Sequence, residues 1–193
     1  DGNGFVADNS SSGLSAGTYT VNALDANLCE GTFTIILEDP PLLVAGLDAQ
    51  GISCFGEADA LITATPIGGT GDYSFQWNTG ATEASITDLG EGNYSYTVTD
   101  ANGCTASADT TITQPPPLDL ATLEVQDVLC FGDTSGVVSL EGTGGVPPYE
   151  FSADGQIFQI SPVFNNLAAD RYTFVVMDAN GCLATTEATV TQP

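Results

Sequence analysis

The chain has 193 residues, with 25 acidic side chains, a single basic one (Arg171), no lysine and no histidine, giving a net charge of −24. That charge repels phosphate backbones and anionic head groups, which argues against nucleic-acid and membrane-surface partners. No apolar run reaches the roughly 18 residues of a membrane-inserted span. Yet only 13% of residues are charged and 42% are hydrophobic, so this is a folding sequence and not an acidic disordered tail.

In chain order, residues 1–41 carry DGNG at 1–4, then Leu14, Tyr19, Asp25 and Cys29. Phe33, Ile35 and Leu37 alternate with Thr32, Thr34 and Ile36, which predicts a strand. DPPLL at 39–43 leads into residues 42–117, where Cys54-Phe55-Gly56 precedes Gly68-Gly69 and Tyr73. YSFQW at 73–77 reads as a central strand bearing the only tryptophan, Trp77. Tyr94, Tyr96 and Val98 then share one face of a further strand, which runs into DANGC at 100–104. After QPPPL at 114–118 the same landmarks return in 118–193: Cys130-Phe131-Gly132, Gly144-Gly145, Tyr149, Tyr172 and DANGC at 178–182.

Leu14, Leu89 and Leu167 each lie five residues before Tyr19, Tyr94 and Tyr172, and Asp25, Asp100 and Asp178 each lie four before a cysteine. The period is about 76 residues, that of bead-like domains. Residues 1–41 are therefore the C-terminal half of a truncated repeat, and 42–117 and 118–193 are complete ones. The fold expected is all-β: tandem immunoglobulin-like or fibronectin-like antiparallel β-sandwiches. The proline joints would string them into an elongated rod. Tyr19, Tyr94 and Tyr172 have the spacing of a tyrosine corner, with simple core aromatics as the alternative reading. The first copy lacks its early strands, so either upstream sequence or another chain must complete it by strand addition.

The ordered set Cys-Phe-Gly, Gly-Gly-x-x-x-Tyr, Leu-x-x-Gly-x-Tyr and Asp-x-x-Gly-Cys resembles the SprB repeat, found in very large surface adhesins of gliding Bacteroidetes. Residues 42–117 carry the pattern almost completely. Residues 118–193 depart at Asp170 and at Ser152/Ala153, and 1–41 at Leu28. The resemblance implies type IX secretion, display outside the outer membrane, movement by the gliding machinery, and a stalk or filament role for the repeats.

Candidate chemistry is sparse. Without histidine or lysine, serine and cysteine nucleophiles lack their usual base, so no enzyme is expected. The five cysteines lack CxxC pairs, which disfavours zinc, and a secreted setting favours disulfides. If four strands separate the two cysteines of a repeat, both lie at one end, which pairs Cys54 with Cys104 and Cys130 with Cys182. Cys29 then wants a partner outside the chain. A rival scheme, Cys29–Cys54 with Cys104–Cys130, bridges successive domains.

No cofactor is certain, and calcium is the sharpest alternative. Asp1, Asn3, Asp25, Asp100 and Asp178 sit in fragments of Asp-rich calcium loops, against a plain hairpin turn built by Asn-Gly. Thr110 lies in a short motif resembling a Bacteroidetes O-glycosylation site. Phe5, Phe158 and Phe164 are candidate loop aromatics for contact with polysaccharide or solid surfaces. The remaining partners expected are neighbouring repeats or copies of the same protein, outside the cell.

Overall fold

The computed structural model describes residues 10–25 and 27–193. Among them there are fourteen strands and no helix, and hence no helix long and apolar enough to cross a membrane. The chain is all-β, as its alternating apolar residues require.

The first two strands, β1 (Gly17–Leu24) and β2 (Glu30–Leu37), form an isolated antiparallel hairpin in register Tyr19↔Ile35 and Val21↔Phe33. Nothing among the described residues covers it, so Val21, Phe33 and Ile35 are exposed.

The next six strands build a sandwich. One sheet has the order β3 (Leu47–Gln50), β4 (Ala60–Ala64), β6 (Ser85–Leu89). The other has the order β5 (Ser74–Trp77), β7 (Gly92–Thr99), β8 (Thr105–Ile112). All pairings are antiparallel, and the inner faces bury Ile62, Ile86, Trp77, Tyr96, Val98 and Ile112. Trp77 stacks on Tyr96 with centroids 4.9 Å apart, and the Tyr96 hydroxyl donates to the Gly46 carbonyl at 2.7 Å. Two sheets packed face to face in this order are an immunoglobulin-like arrangement.

The last six strands repeat it. The order β12 (Val163–Leu167), β10 (Gly136–Thr143), β9 (Asp119–Gln126) faces β11 (Glu150–Ser152), β13 (Asp170–Met177), β14 (Leu183–Val190). This core holds Leu120, Val138, Leu140, Phe151, Phe174 and Val176. Pairing registers make Ala153 the counterpart of Trp77 and Phe164 that of Ile86. A small residue thus replaces the tryptophan while a large one replaces the isoleucine, and Phe164 lies 5.1 Å from Phe174. Such compensation keeps core volume near constant. Phe164 is accordingly a packing residue and not the exposed platform expected from sequence.

The chain path overturns the pairing of cysteines within a repeat. β6 begins at Ser85 opposite Thr63, near the end of β4, whereas β5 ends at Trp77, and Asn78 just after it is bonded to Asn93 and Ser95. Residues 78–84 therefore recross the sandwich without forming a strand. That adds a fifth crossing between Cys54 and Cys104 and sends them to opposite ends. Cys54-Phe55-Gly56 sits beside Gln114, just past the end of β8, while Cys104 immediately precedes its first residue. An eight-residue strand separates them by roughly 27 Å.

Candidate functional site: the joint between repeats

The sequence motifs collect at the two ends of each sandwich. At the end where each sandwich begins, the DANGC turn, the Gly-Gly loop and the proline joint are tied into one knot. Asp100 accepts the N–H groups of Asn102 (2.9 Å) and Cys104 (2.8 Å) on Oδ1 and of Thr70 (2.9 Å) on Oδ2. Asp178 does the same with Asn180 (2.9 Å), Cys182 (2.9 Å) and Val146 (2.8 Å). Burial works to raise the Asp100 carboxyl, and the N–H donors of Cys104, Thr70 and Asn102 more than offset it, holding it below its ordinary value of 3.8. In the hairpin, the donors to the Asp25 side chain among the described residues lie within its own turn, Asn27 and Cys29.

The Gly-Gly pairs are required by close approach. Gly69 N–H donates to Pro41 and Gly145 N–H to Pro116, fastening each sandwich to the proline segment before it. A Cβ at Gly144 would lie 1.8 Å from the Pro117 carbonyl oxygen, and one at Gly145 2.5 Å from the Asp178 carboxylate. Tyr73 and Tyr149 close the loop by donating to the Gly68 and Gly144 carbonyls. Across each sandwich, Tyr94 donates to Gly90 and Tyr172 to Ala168, as Tyr19 does to Ser15 in the hairpin, the hydrogen bond of a tyrosine corner.

At the other end, Gln114 accepts the Gly56 N–H at 2.8 Å and Gln192 the Gly132 N–H at 3.1 Å. These glutamines tie the Cys-Phe-Gly loop to the outgoing strand. They were missed from sequence, although Thr-Gln-Pro recurs at 113–115 and 191–193.

The two kinds of end meet at the joint. Cys54 is disulfide-bonded to Cys182 over a sequence separation of 128. Asn180 Nδ2 donates to the Ser53 carbonyl at 2.7 Å. The crevice beside the bond is lined by Phe55, Pro117, Leu118 and Leu183. The staple thus runs from the Cys-Phe-Gly loop of one repeat to the DANGC turn of the next. Both expected schemes are corrected. The outgoing strand delivers the next sandwich to the Cys-Phe-Gly end, where its own DANGC end arrives. Cys29, Cys104 and Cys130 are free and exposed.

The remaining candidate residues do not converge on a site. Asp1, Asn3 and Phe5 lie outside the described residues. Among the described residues no group of three or more His, Cys, Asp or Glu side chains gathers as a metal centre. Asp100 and Asp178 are surrounded by donors, the environment of a held anion. Thr110 is half-buried on the face of β8 that carries Ala108 and Ile112, which leaves little room for a glycan. Phe158 is half-buried, and the outward residues of its loop are Ile157 and Ile160.

The fold and the joint define a protein of tandem immunoglobulin-like sandwiches fastened end to end. The SprB repeat family model matches residues 48–82 and 122–155. The model thus matches twice, once in each complete sandwich, as the sequence resemblance implies. Both matches cover the front strands of a sandwich, and the DANGC turns and tyrosine corners lie beyond them. No curated protein sequence matches the chain.

Among solved structures, a C-terminal 282-residue fragment of intimin in complex with the intimin-binding domain of the translocated intimin receptor is 14% identical. It covers 76% of this chain and 63% of its own, at a TM-score of 0.40. A Dscam structure concerned with isoform specificity is 16% identical, covering 91% of this chain and 54% of its own, at a TM-score of 0.38. The chain thus spans less than two thirds of either.

Proposed function

We propose that the chain is a non-catalytic stalk segment of a large secreted cell-surface adhesin, linked to gliding motility or surface attachment and displayed outside the outer membrane after type IX secretion. The observation that carries this reading is the stapled joint. A disulfide, a side-chain hydrogen bond and a proline segment locked to a Gly-Gly loop together fix one sandwich on the end of the next. Such a joint transmits position and load, whereas a recognition module needs a pocket or an aromatic platform. The high acidic charge with one cation, paired as Arg171–Glu187 on an exposed strand face, suits a surface immersed in salt.

Small-angle scattering of the oxidised chain tests the stalk reading, with an elongated profile expected that broadens on reduction. Saturable binding of the chain to a polysaccharide would instead favour a surface-binding module. The exposed face of the β1–β2 hairpin favours a second reading, a filament subunit completed by strands of another copy. Concentration-dependent fibres that disappear when residues 1–41 are deleted would support it, and a monomer at all concentrations would sink it.

A further inference from the structure

The parts of the joint recur at the Cys130 end of the last sandwich, unpaired. Asp133 N–H donates to the Cys130 carbonyl at 3.1 Å, as Glu57 N–H does to Cys54 at 3.1 Å. Gln192 holds Gly132 as Gln114 holds Gly56. The Cys130 thiol is exposed and free. Phe131 is 79% exposed, against 54% for Phe55, whose loop is docked on the neighbouring repeat. Leu129, also exposed, holds the position of Ser53, whose backbone carbonyl accepts the Asn180 amide. The inserting half is repeated as well. Cys104 is free and exposed on a turn clamped by Asp100 and Thr70 just as Cys182 is clamped by Asp178 and Val146.

We propose that the loop Cys130–Gly132 is the receiving half of a further joint, and that its occupant is the DANGC turn of a following repeat in the same polypeptide. The inference rests on the stalk reading and deepens it. The partner's turn cysteine bonds to Cys130, its turn asparagine donates to the Leu129 carbonyl, and Leu129 and Phe131 are covered by the arriving sandwich. Bond formation is an oxidation and takes a small disulfide such as oxidised glutathione. The Cys130 thiolate attacks that disulfide and releases one thiol, and the turn thiolate then displaces the second from the mixed disulfide. Two protein thiols lose two protons and two electrons, and the small disulfide becomes two thiols.

The test extends the full chain after Pro193 with a second copy of its residues 116–193, so that the proline joint is kept, folded in a glutathione redox buffer. Non-reducing peptide mapping with alkylation follows. The expected result is Cys130 bonded to the added copy's Cys182, with Cys54 still bonded to the original Cys182. Alkylation of Cys130 should fall roughly tenfold relative to the unextended chain, as for a structural disulfide. Alkylation of Cys130 unchanged by the extension, while Cys54–Cys182 forms, overturns this inference and leaves the stalk reading standing. Loss of Cys54–Cys182 itself in both chains overturns the two together. Multimers of the unextended chain joined Cys130 to Cys104 would also overturn the proposal, assigning the loop to a second copy.

Discussion

The aspartate of DANGC is the residue whose role the structure changes most. In each complete sandwich it holds a turn closed and reaches across to the Gly-Gly loop some thirty residues away in sequence. Replacing Asp178 with alanine leaves three N–H groups without their acceptor, at a cost of about 2–3 kcal/mol. In urea the sandwich of residues 118–193 should lose its structure at a lower concentration, seen by far-ultraviolet circular dichroism, while the Trp77 fluorescence transition, which reports the other sandwich, stays unmoved. Asp100 makes a prediction in pH. Its folded carboxyl titrates below the unfolded value of 3.8, so its contribution is complete above that value and is lost as pH falls through the lower folded one. Acid titration followed by Trp77 fluorescence should be less steep for Asp100→Asn, and an unchanged acid limb would remove the clamp from the account.

The turn and the strands around it were largely readable in the sequence. Tyr94, Tyr96 and Val98 alternate as a half-buried strand must, and Asn-Gly supplies the backbone for a reversal: Gly103 and Gly181 have φ of 82° and 83°. The hairpin copy places Leu28 at that position with φ of 65°. A side chain there costs on the order of 1 kcal/mol, so Leu28→Gly should slow amide exchange in β1 and β2. What sequence did not show was the segment 78–84. It crosses the sandwich as irregular chain held by Trp77 Nε1 to the Glu83 carbonyl and Ala64 N–H to the Ala84 carbonyl. No alternation marks such a crossing, so the visible strands alone give an even number of reversals and place both cysteines of a repeat at one end. The aspartate clamp was equally hidden, because its third donor belongs to a distant loop and carries no side-chain signature.

For the assembled chain, charge and covalent connectivity decide behaviour. With a net charge of −24, the folded state repels itself, and added salt should raise the melting temperature by screening. Calcium and magnesium chloride at equal concentration should act alike if the DANGC aspartates serve only the turn. A shift confined to calcium would restore a resident ion.

The staple also has a mechanical meaning. Tension applied between the two chain ends enters Cys54, crosses the sulfur–sulfur bond to Cys182 and leaves through β14, bypassing everything between. The 128-residue separation represents about 450 Å of extensible chain taken out of the force path. Single-molecule stretching should release that length only after reduction. A thread of such overlapping loops would yield under drag by small steps and retain most of its reach, behaving as a tether of nearly fixed length.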